Sequence, residues 1–350
     1  MTGPIIYALP KIEKKLEPKE SNFHFDPNPS PKLIKYGFNT ITDNLDLSAI
    51  ANIPQHRAGF NFDFERKDPN SIYGQVSKLK IKKFDQNFAE IWEILSLFGL
   101  LDKKQSIATN HTNTLDEIVR LHGQISSLSS SSSSSSKSNS MVSDLKTNSA
   151  SLVIYKYSDI DIDENAAIDI IIKNLKQLLS IQNVGATMIL QLFSLQTQTS
   201  AEIIYYLASL YNDSYLIKPT ISSELSDSKY LILNGLKQQT KFIMPAHAEN
   251  VYLISMGIGN LENDFVTKIQ CMNAQVIPLK YRTYISIKKF LDTKVYEGST
   301  YQEMIAIQDK NTNKWVQTFI NDSGKNILDE SLKLTDDKCA DYNKLVNLIN

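Results

Sequence analysis

The sequence predicts an α/β fold built around a doubly wound, mostly parallel sheet, and three neighbouring patterns support this. Residues 187–193 form a short apolar run that begins just after Gly185, which suits a buried strand. Residues 201–211 carry apolar side chains at helical spacing, and residues 214–217 are a second short strand, closed by Pro219. Strand, short helix and strand make a parallel crossover unit, so we expect helices packed on a parallel sheet.

Further segments extend this pattern along the chain. Helices are predicted at residues 85–101, 113–122 and 164–180, and strands at 106–109, 151–157 and 230–233. The C-terminal region is mixed. Residues 265–271 and 285–291 look helical, whereas 304–308 and 315–320 flank a polar turn and predict a hairpin.

Composition shifts divide the chain into four parts. Residues 1–31 are rich in proline and charge and predict an extended arm, and residues 32–83 form an N-terminal subdomain. Residues 84–250 form the main domain and residues 251–350 a C-terminal extension. Within the main domain, residues 126–150 are dominated by serine, which cannot build a core and predicts a flexible loop.

Bulk composition restricts the setting of the protein. The formal net charge is −1, so no global field draws the chain to nucleic acid. The two cysteines, Cys271 and Cys339, are far apart in sequence and are interpreted as reduced thiols. No apolar run approaches the roughly twenty residues of a membrane span. We therefore expect a cytoplasmic protein, and the abundance of Asn, Ile, Lys and Ser suggests a large DNA virus as its source.

A motif in the second half of the main domain suggests a family. The dipeptide Lys218-Pro219 is followed by Ser222-Ser223, by Ser226 and by the segment 230–235, which contains the predicted strand 230–233. This order resembles that of the FtsJ/RrmJ-type RNA 2′-O-methyltransferases, which include viral and cellular cap methyltransferases. The resemblance is clear over about residues 151–236 and faint over residues 84–123. It implies a reduced, Rossmann-like methyltransferase sheet with an N-terminal arm and a C-terminal extension.

The resemblance also implies a catalytic tetrad of Lys, Asp, Lys and Glu, and none of the four is present here. The matching positions carry Glu90, Lys156, Gln191 and Ser228. A neutral amide at 191 cannot act as a base or as a stabilising cation. If the alignment is right, Glu90 and Lys156 replace a Lys and an Asp, so we expect them to form an ion pair of reversed sign.

The cofactor loop that the resemblance implies is altered as well. S-adenosylmethionine would bind at a glycine-rich loop after the first strand, but residues 106–119 contain no glycine. Asn110, His111 and Thr112 stand at that loop position instead. The five histidines are isolated from other ligand types, so the sequence predicts no metal site.

A local basic patch is the remaining candidate site. Lys78, Lys80, Lys82 and Lys83 mostly share one face of a predicted strand, and Lys218 is a further candidate for contact with RNA. Lysines that protect a solvated sheet edge explain the same pattern and are the favoured interpretation.

Three functions follow from these observations. The preferred one is a catalytically degenerate, cofactor-free relative of the cap methyltransferases. It would act as an accessory or structural subunit on a protein partner in mRNA capping or virion assembly, in the cytoplasm, a virus factory or the virion. The first alternative is an active S-adenosylmethionine-dependent cap 2′-O-methyltransferase, with Lys156, Lys218 and Lys229 as the nearest cations. The second is an RNA-binding module, which the near-zero net charge disfavours.

Overall fold

The computed structural model describes most of the chain outside the N-terminal quarter. The described ranges are 3–27, 86–122, 126–127, 147–157, 164–245, 251–293, 299–321 and 327–349, apart from residues 15, 17, 19, 102–104, 193, 225, 227 and 244. The predicted subdomain 32–83, its four lysines and most of the serine-rich segment lie outside these ranges.

Nine strands form a large sheet and a small one within the described residues. They are β1 (Ile5–Ala8), β2 (His24–Asp26), β3 (Ser106–Thr109), β4 (Ser126–Ser127), β5 (Ala150–Tyr155), β6 (Gln182–Leu192), β7 (Tyr211–Lys218), β8 (Lys229–Leu236) and β9 (Tyr252–Ser255). The large sheet has the order β1-β7-β8-β6-β5-β3-β4, and the small sheet pairs β2 with β9.

Strand direction confirms a mostly parallel sheet. β4, β3, β5 and β6 pair in parallel. β8 is antiparallel to both β6 and β7, so β7 runs in the same direction as β6, and β1 is antiparallel to β7. Five of the seven strands therefore share one direction. The crossover from β6 to β7 is present as predicted, but β8 returns between the two strands in the opposite direction.

The described residues also contain seven α-helices, which pack around the large sheet. They are α1 (Gln86–Leu97), α2 (Thr112–His122), α3 (Glu164–Ser180), α4 (Gln198–Leu210), α5 (Asn263–Thr293), α6 (Ser299–Val316) and α7 (Ile327–Ile349), and a π-helix (Gln317–Asn321) directly follows α6. One core lies between the sheet and α3, α4 and α5. A second core lies on the opposite face, under α1, α2 and the end of α6. Helices therefore cover both faces, as a doubly wound sheet requires.

The predicted hairpin in the C-terminal region is wrong. Residues 304–320 lie instead in α6 and the π-helix. Trp315 and Phe319 are four residues apart and fully buried, which places both on one helical face against α1. Asn311 and Thr312, which suggested a turn, are buried within this helix. Tertiary packing has overridden their local preference for turns.

The N-terminal arm does not stand apart from the main domain. β1 forms the edge of the large sheet, where Ile6 enters one core and Tyr7 the other. Thr335 of α7 donates a hydrogen bond to the carbonyl of Ile6, and Gln275 of α5 donates one to the Tyr7 hydroxyl. The predicted arm and the predicted extension thus pack on each other and on the sheet. Two fully buried side chains in β1 explain why.

Candidate functional site

The edge of the sheet where the parallel strands end is the place to look for a site. The chain leaves β3 for β4 on one side and then places β5 on the other side of β3. In doubly wound sheets, ligands bind in the crevice beyond the carboxyl ends of the strands at such a reversal. Lys156 follows β5, Gln191 lies near the end of β6 and Ser228 precedes the reversed β8. The sheet therefore gathers three predicted positions at one edge.

Glu90 completes the set from helix α1. Its carboxylate lies 2.9 Å from the Lys156 Nζ, which confirms the expected ion pair. The Tyr230 hydroxyl donates a hydrogen bond to the same carboxylate oxygen and accepts one from Lys156. The Ser222 hydroxyl donates to the other oxygen at 2.8 Å. All four residues are at least 96% buried, so the pair is sealed inside the protein.

The electrostatics of this cluster hold Glu90 charged. Burial by itself raises the pKa of Glu90, but the Lys156 ammonium and the hydrogen bonds from Tyr230, Lys156 and Ser222 bring it below the ordinary value. Burial and the charge of Glu90 raise the pKa of Tyr230 well above its usual range, so its hydroxyl remains a neutral donor. The cluster is a satisfied buried ion pair, in which each charged group already has its partner.

The other two tetrad positions form a second, neutral cluster. The Gln191 amide donates to the Ser228 hydroxyl at 2.8 Å, and its carbonyl accepts the backbone N–H of Tyr157 at 2.9 Å. Gln191 is 7% exposed and Ser228 is 4% exposed. This cluster contains no titratable group that acts as an acid or base near neutral pH.

Asn110 occupies the crevice between β3 and β5. Its side-chain carbonyl accepts the backbone N–H of Lys156 at 3.0 Å, and its amide donates to the backbone carbonyl of Lys156. His111 donates its backbone N–H to the Thr109 hydroxyl, and Thr112 begins helix α2. A side chain thus bridges the two strands at the position where a glycine loop would leave room for a ligand.

Two further cations near this edge, Lys218 and Lys229, are also buried. The ammonium of Lys218 donates to the backbone carbonyls of Ser223 at 3.0 Å and Ser226 at 2.8 Å. Lys218 is 3% exposed and Lys229 is 2% exposed. Lys218 therefore binds its own turn, and its charge does not face a surface that a phosphate can reach. Its prediction as an RNA contact is not supported by this geometry.

Glu93 is a buried carboxylate that the sequence interpretation missed. It accepts the backbone N–H groups of Thr220 at 2.6 Å and Ile221 at 3.2 Å, and the indole N–H of Trp315 at 2.7 Å. Burial raises the pKa of Glu93 to about 7, although these hydrogen bonds act in the opposite direction. The signal was available, because residues 88–97 of α1 are apolar except at Glu90, Glu93 and Ser96, and buried carboxylates must find partners inside the protein.

One cavity in the described part of the chain lies apart from the four predicted tetrad positions. A cavity of about 260 Å³ lies between the start of β1, the end of α6 and α7, and its lining includes Thr220, Trp315 and Leu334. None of the four tetrad positions lines it.

Among the described residues, no three His, Cys, Asp or Glu side chains gather in a way that could hold a metal ion. None of the described helices has the length and apolar character needed to cross a bilayer.

Comparison with known proteins places the chain in a viral family. No protein-family profile matches the sequence. The chain is 42% identical over 352 residues to the Uncharacterized protein R383 of Acanthamoeba polyphaga mimivirus, and the alignment covers 99% of each protein. The chain belongs to the family of that protein. A viral relative agrees with the source that composition suggested, while the name of the relative assigns no activity.

Proposed function

We propose that this chain is a non-catalytic descendant of an RNA cap 2′-O-methyltransferase that acts as an accessory or structural subunit of a viral protein assembly. The observation that carries the proposal is the pair of buried clusters at the carboxyl edge of the sheet. Glu90, Lys156, Gln191 and Ser228 come together there, as the resemblance requires of tetrad positions. Their side chains, however, are of the wrong chemical types for the reaction.

The burial and the chemical types of these side chains argue against methyl transfer at the carboxyl edge of the sheet. Ribose deprotonation needs a reactive group that reaches the substrate. Lys156 is 1% exposed and already paired with Glu90, and Gln191 is an amide. The bridge from Asn110 to Lys156 joins the ends of β3 and β5 where the resemblance would place the cofactor. A protein that keeps the scaffold without the reaction acts through its contacts, and a protein partner in capping or virion assembly fits its viral family.

Binding of S-adenosylmethionine tests the loss of the cofactor site. We expect the full chain to give no heat of binding in calorimetry and no rise in melting temperature at millimolar S-adenosylmethionine. A ligand that binds the folded state would raise the melting temperature by mass action. An active RNA 2′-O-methyltransferase measured in parallel serves as the positive control. Saturable binding, or methyl transfer to capped RNA, would contradict the proposal and support the active-enzyme alternative.

A restoring variant tests whether the loss is confined to one residue. We expect Gln191→Lys to remain inactive on capped RNA, because Asn110 still occupies the crevice and Glu90 still neutralises Lys156.

Purification of the tagged full chain from its native source, with nuclease treatment, tests the accessory role. We expect a protein partner in fixed ratio that survives the nuclease. Retention of RNA alone would favour the RNA-binding alternative.

A further inference from the structure

Two cysteines from distant parts of the sequence meet where helices α5 and α7 pack together. The sulfur atoms of Cys271 and Cys339 lie 2.7 Å apart, closer than two non-bonded sulfur atoms normally approach. Both are free thiols here, and they are 2% and 4% exposed. The structure thus brings into contact two thiols that are far apart in sequence. A 68-residue difference in sequence number had hidden the contact.

A second contact holds the same two helices in the same alignment. Lys268 lies one turn before Cys271, and its ammonium is 2.7 Å from the carboxylate of Asp336, one turn before Cys339. The Lys268 ammonium also lies 6.0 Å from the centre of the Tyr7 ring on strand β1. An ion pair and a pair of sulfur atoms therefore lie one helical turn apart along the interface between α5 and α7. The approach of the thiols follows from how the helices pack.

We propose that Cys271 and Cys339 are a covalent cross-linking site and form an intramolecular disulfide that joins α5 to α7. The oxidant is a small-molecule or protein disulfide. One cysteine thiolate attacks it and releases a thiol, and the second cysteine then attacks the mixed disulfide and releases another. Each cysteine loses its proton, and the two electrons reduce the oxidant to two thiols.

The surroundings of the pair suggest when the bond forms. Burial and the neighbouring Cys339 raise the pKa of the Cys271 thiol, so the docked helices contain little of the thiolate that attacks a disulfide. Oxidation therefore takes place during folding, before α7 covers Cys271. Once formed, the bond is shielded from reductants by the same burial, and it closes a long loop, which restricts the unfolded chain.

The cross-link fixes the N-terminal strand as well as the two helices. α5 contacts β1 through Gln275 and Tyr7, and α7 contacts it through Thr335 and Ile6. A covalent bond between the helices holds both contacts around the edge of the large sheet. The proposal is independent of the proposed function, since it involves none of the tetrad positions.

Mass spectrometry tests the bond directly. The full chain is refolded with oxidised glutathione, denatured in an alkylating reagent and weighed intact. We expect no alkyl group and a mass lower by two hydrogen atoms, then two alkyl groups after reduction. A proteolytic fragment joining the two cysteines, and a monomer on a non-reducing gel, are also expected. Two alkyl groups without reduction, or disulfide-linked dimers, would overturn the proposal.

Thermal unfolding gives a second readout. The oxidised protein should melt several degrees above the reduced protein, and Cys271→Ser and Cys339→Ser should each abolish this difference. Lys268→Gln is the matched control, since it removes the ion pair between the helices and keeps both sulfur atoms. We expect this variant to oxidise fully. Equal melting temperatures of the oxidised and reduced wild-type protein would contradict a stabilising cross-link, even if the serine variants fail to fold.

Discussion

Glu90 and Lys156 form a buried ion pair in which each group compensates the charge of the other. Moving two charges into a protein interior costs free energy that their attraction roughly repays, so removal of one partner is far more harmful than removal of both. We expect Lys156→Met to lower the free energy of unfolding by about 3–5 kcal/mol. Combining it with Glu90→Gln should recover part of that loss. Urea unfolding of the two single variants and the double variant measures this coupling.

A surface pair in helix α3 provides the control for this experiment. Lys173 and Asp169 lie 2.6 Å apart, but the side chain of Lys173 is 58% exposed. Lys173→Met should change stability by only about 0.5 kcal/mol, because solvent screens an exposed pair. Equal losses at Lys156 and Lys173 would show that the Glu90 cluster is open to water.

Glu93 gives the protein a pH dependence whose sign can be stated in advance. Its carboxyl pKa rises from an ordinary 4.5 to about 7 in the folded protein, so the folded state favours the protonated form. Its stabilising contribution is complete below pH 4.5 and is lost as the pH rises through about 7. The difference corresponds to about 3 kcal/mol.

A comparison of the wild-type protein with Glu93→Gln isolates this contribution. The free energy of unfolding in urea is measured for both proteins at pH 5 and at pH 8. The wild-type protein should lose more stability than the variant over this interval, because glutamine does not titrate. An equal change in both proteins would mean that Glu93 keeps its ordinary pKa in the folded state.

At the scale of single elements, the small sheet of β2 and β9 requires the backbone of Gly257 to pack closely against that of Asn22. Gly257 follows β9 with a φ of +65°, and a Cβ atom there would lie 2.5 Å from the backbone oxygen of Asn22. Gly259 has a φ of +84° and nothing within 4 Å of its Cβ position. Gly257→Ala and Gly259→Ala therefore share the backbone strain of about 1–2 kcal/mol, and only the first adds a clash.

We expect Gly257→Ala to be the more destabilising of the two changes and to expose the β2 amides. Thermal unfolding ranks the two variants, and hydrogen exchange at residues 24–26 locates the effect. If both variants melt at the same temperature, the chain beside Asn22 has moved to accept the added methyl group.

The sequence predicted an element well where the apolar residues of its pattern are the residues that the fold buries. Helix α3 begins and ends at the predicted residues, and its apolar stripe, which includes Ile168 and Leu175, is buried. The sequence did not predict β1, because a four-residue strand between prolines carries too little periodicity. It also missed α6, whose buried Asn311 and Thr312 resemble turn residues until Trp315 is known to pack on α1. Information about distant partners was missing in both cases.

The candidate site was predictable in position but only partly in content. The resemblance placed Glu90, Lys156, Gln191 and Ser228 by alignment, and the structure brings them into two adjoining clusters. The sequence did not show that Tyr230 and Ser222 complete the ion pair, or that Asn110 bridges two strands. Such contacts depend on side-chain direction at strand ends, which no linear pattern specifies.

For the whole molecule, the main domain is expected to depend on both ends of the chain. A fragment of residues 84–250 would leave β7 without its edge partner and remove α5 and α7 from the cores. We expect this fragment to aggregate or to unfold without a cooperative transition, while the full chain unfolds cooperatively. Circular dichroism during thermal unfolding of both proteins makes the comparison. A cooperative transition of the fragment at the same midpoint would establish it as an independent domain.

The pairing of strand β1 also constrains the order in which the protein folds during synthesis. Ile5 pairs with Lys218, and Thr335 of helix α7 donates to the carbonyl of Ile6 across a separation of 329 residues in the sequence. Strand β1 therefore has none of these partners until the later segments have been translated. Termination before β7 is made would therefore release a product in which β1 lacks its partner strand.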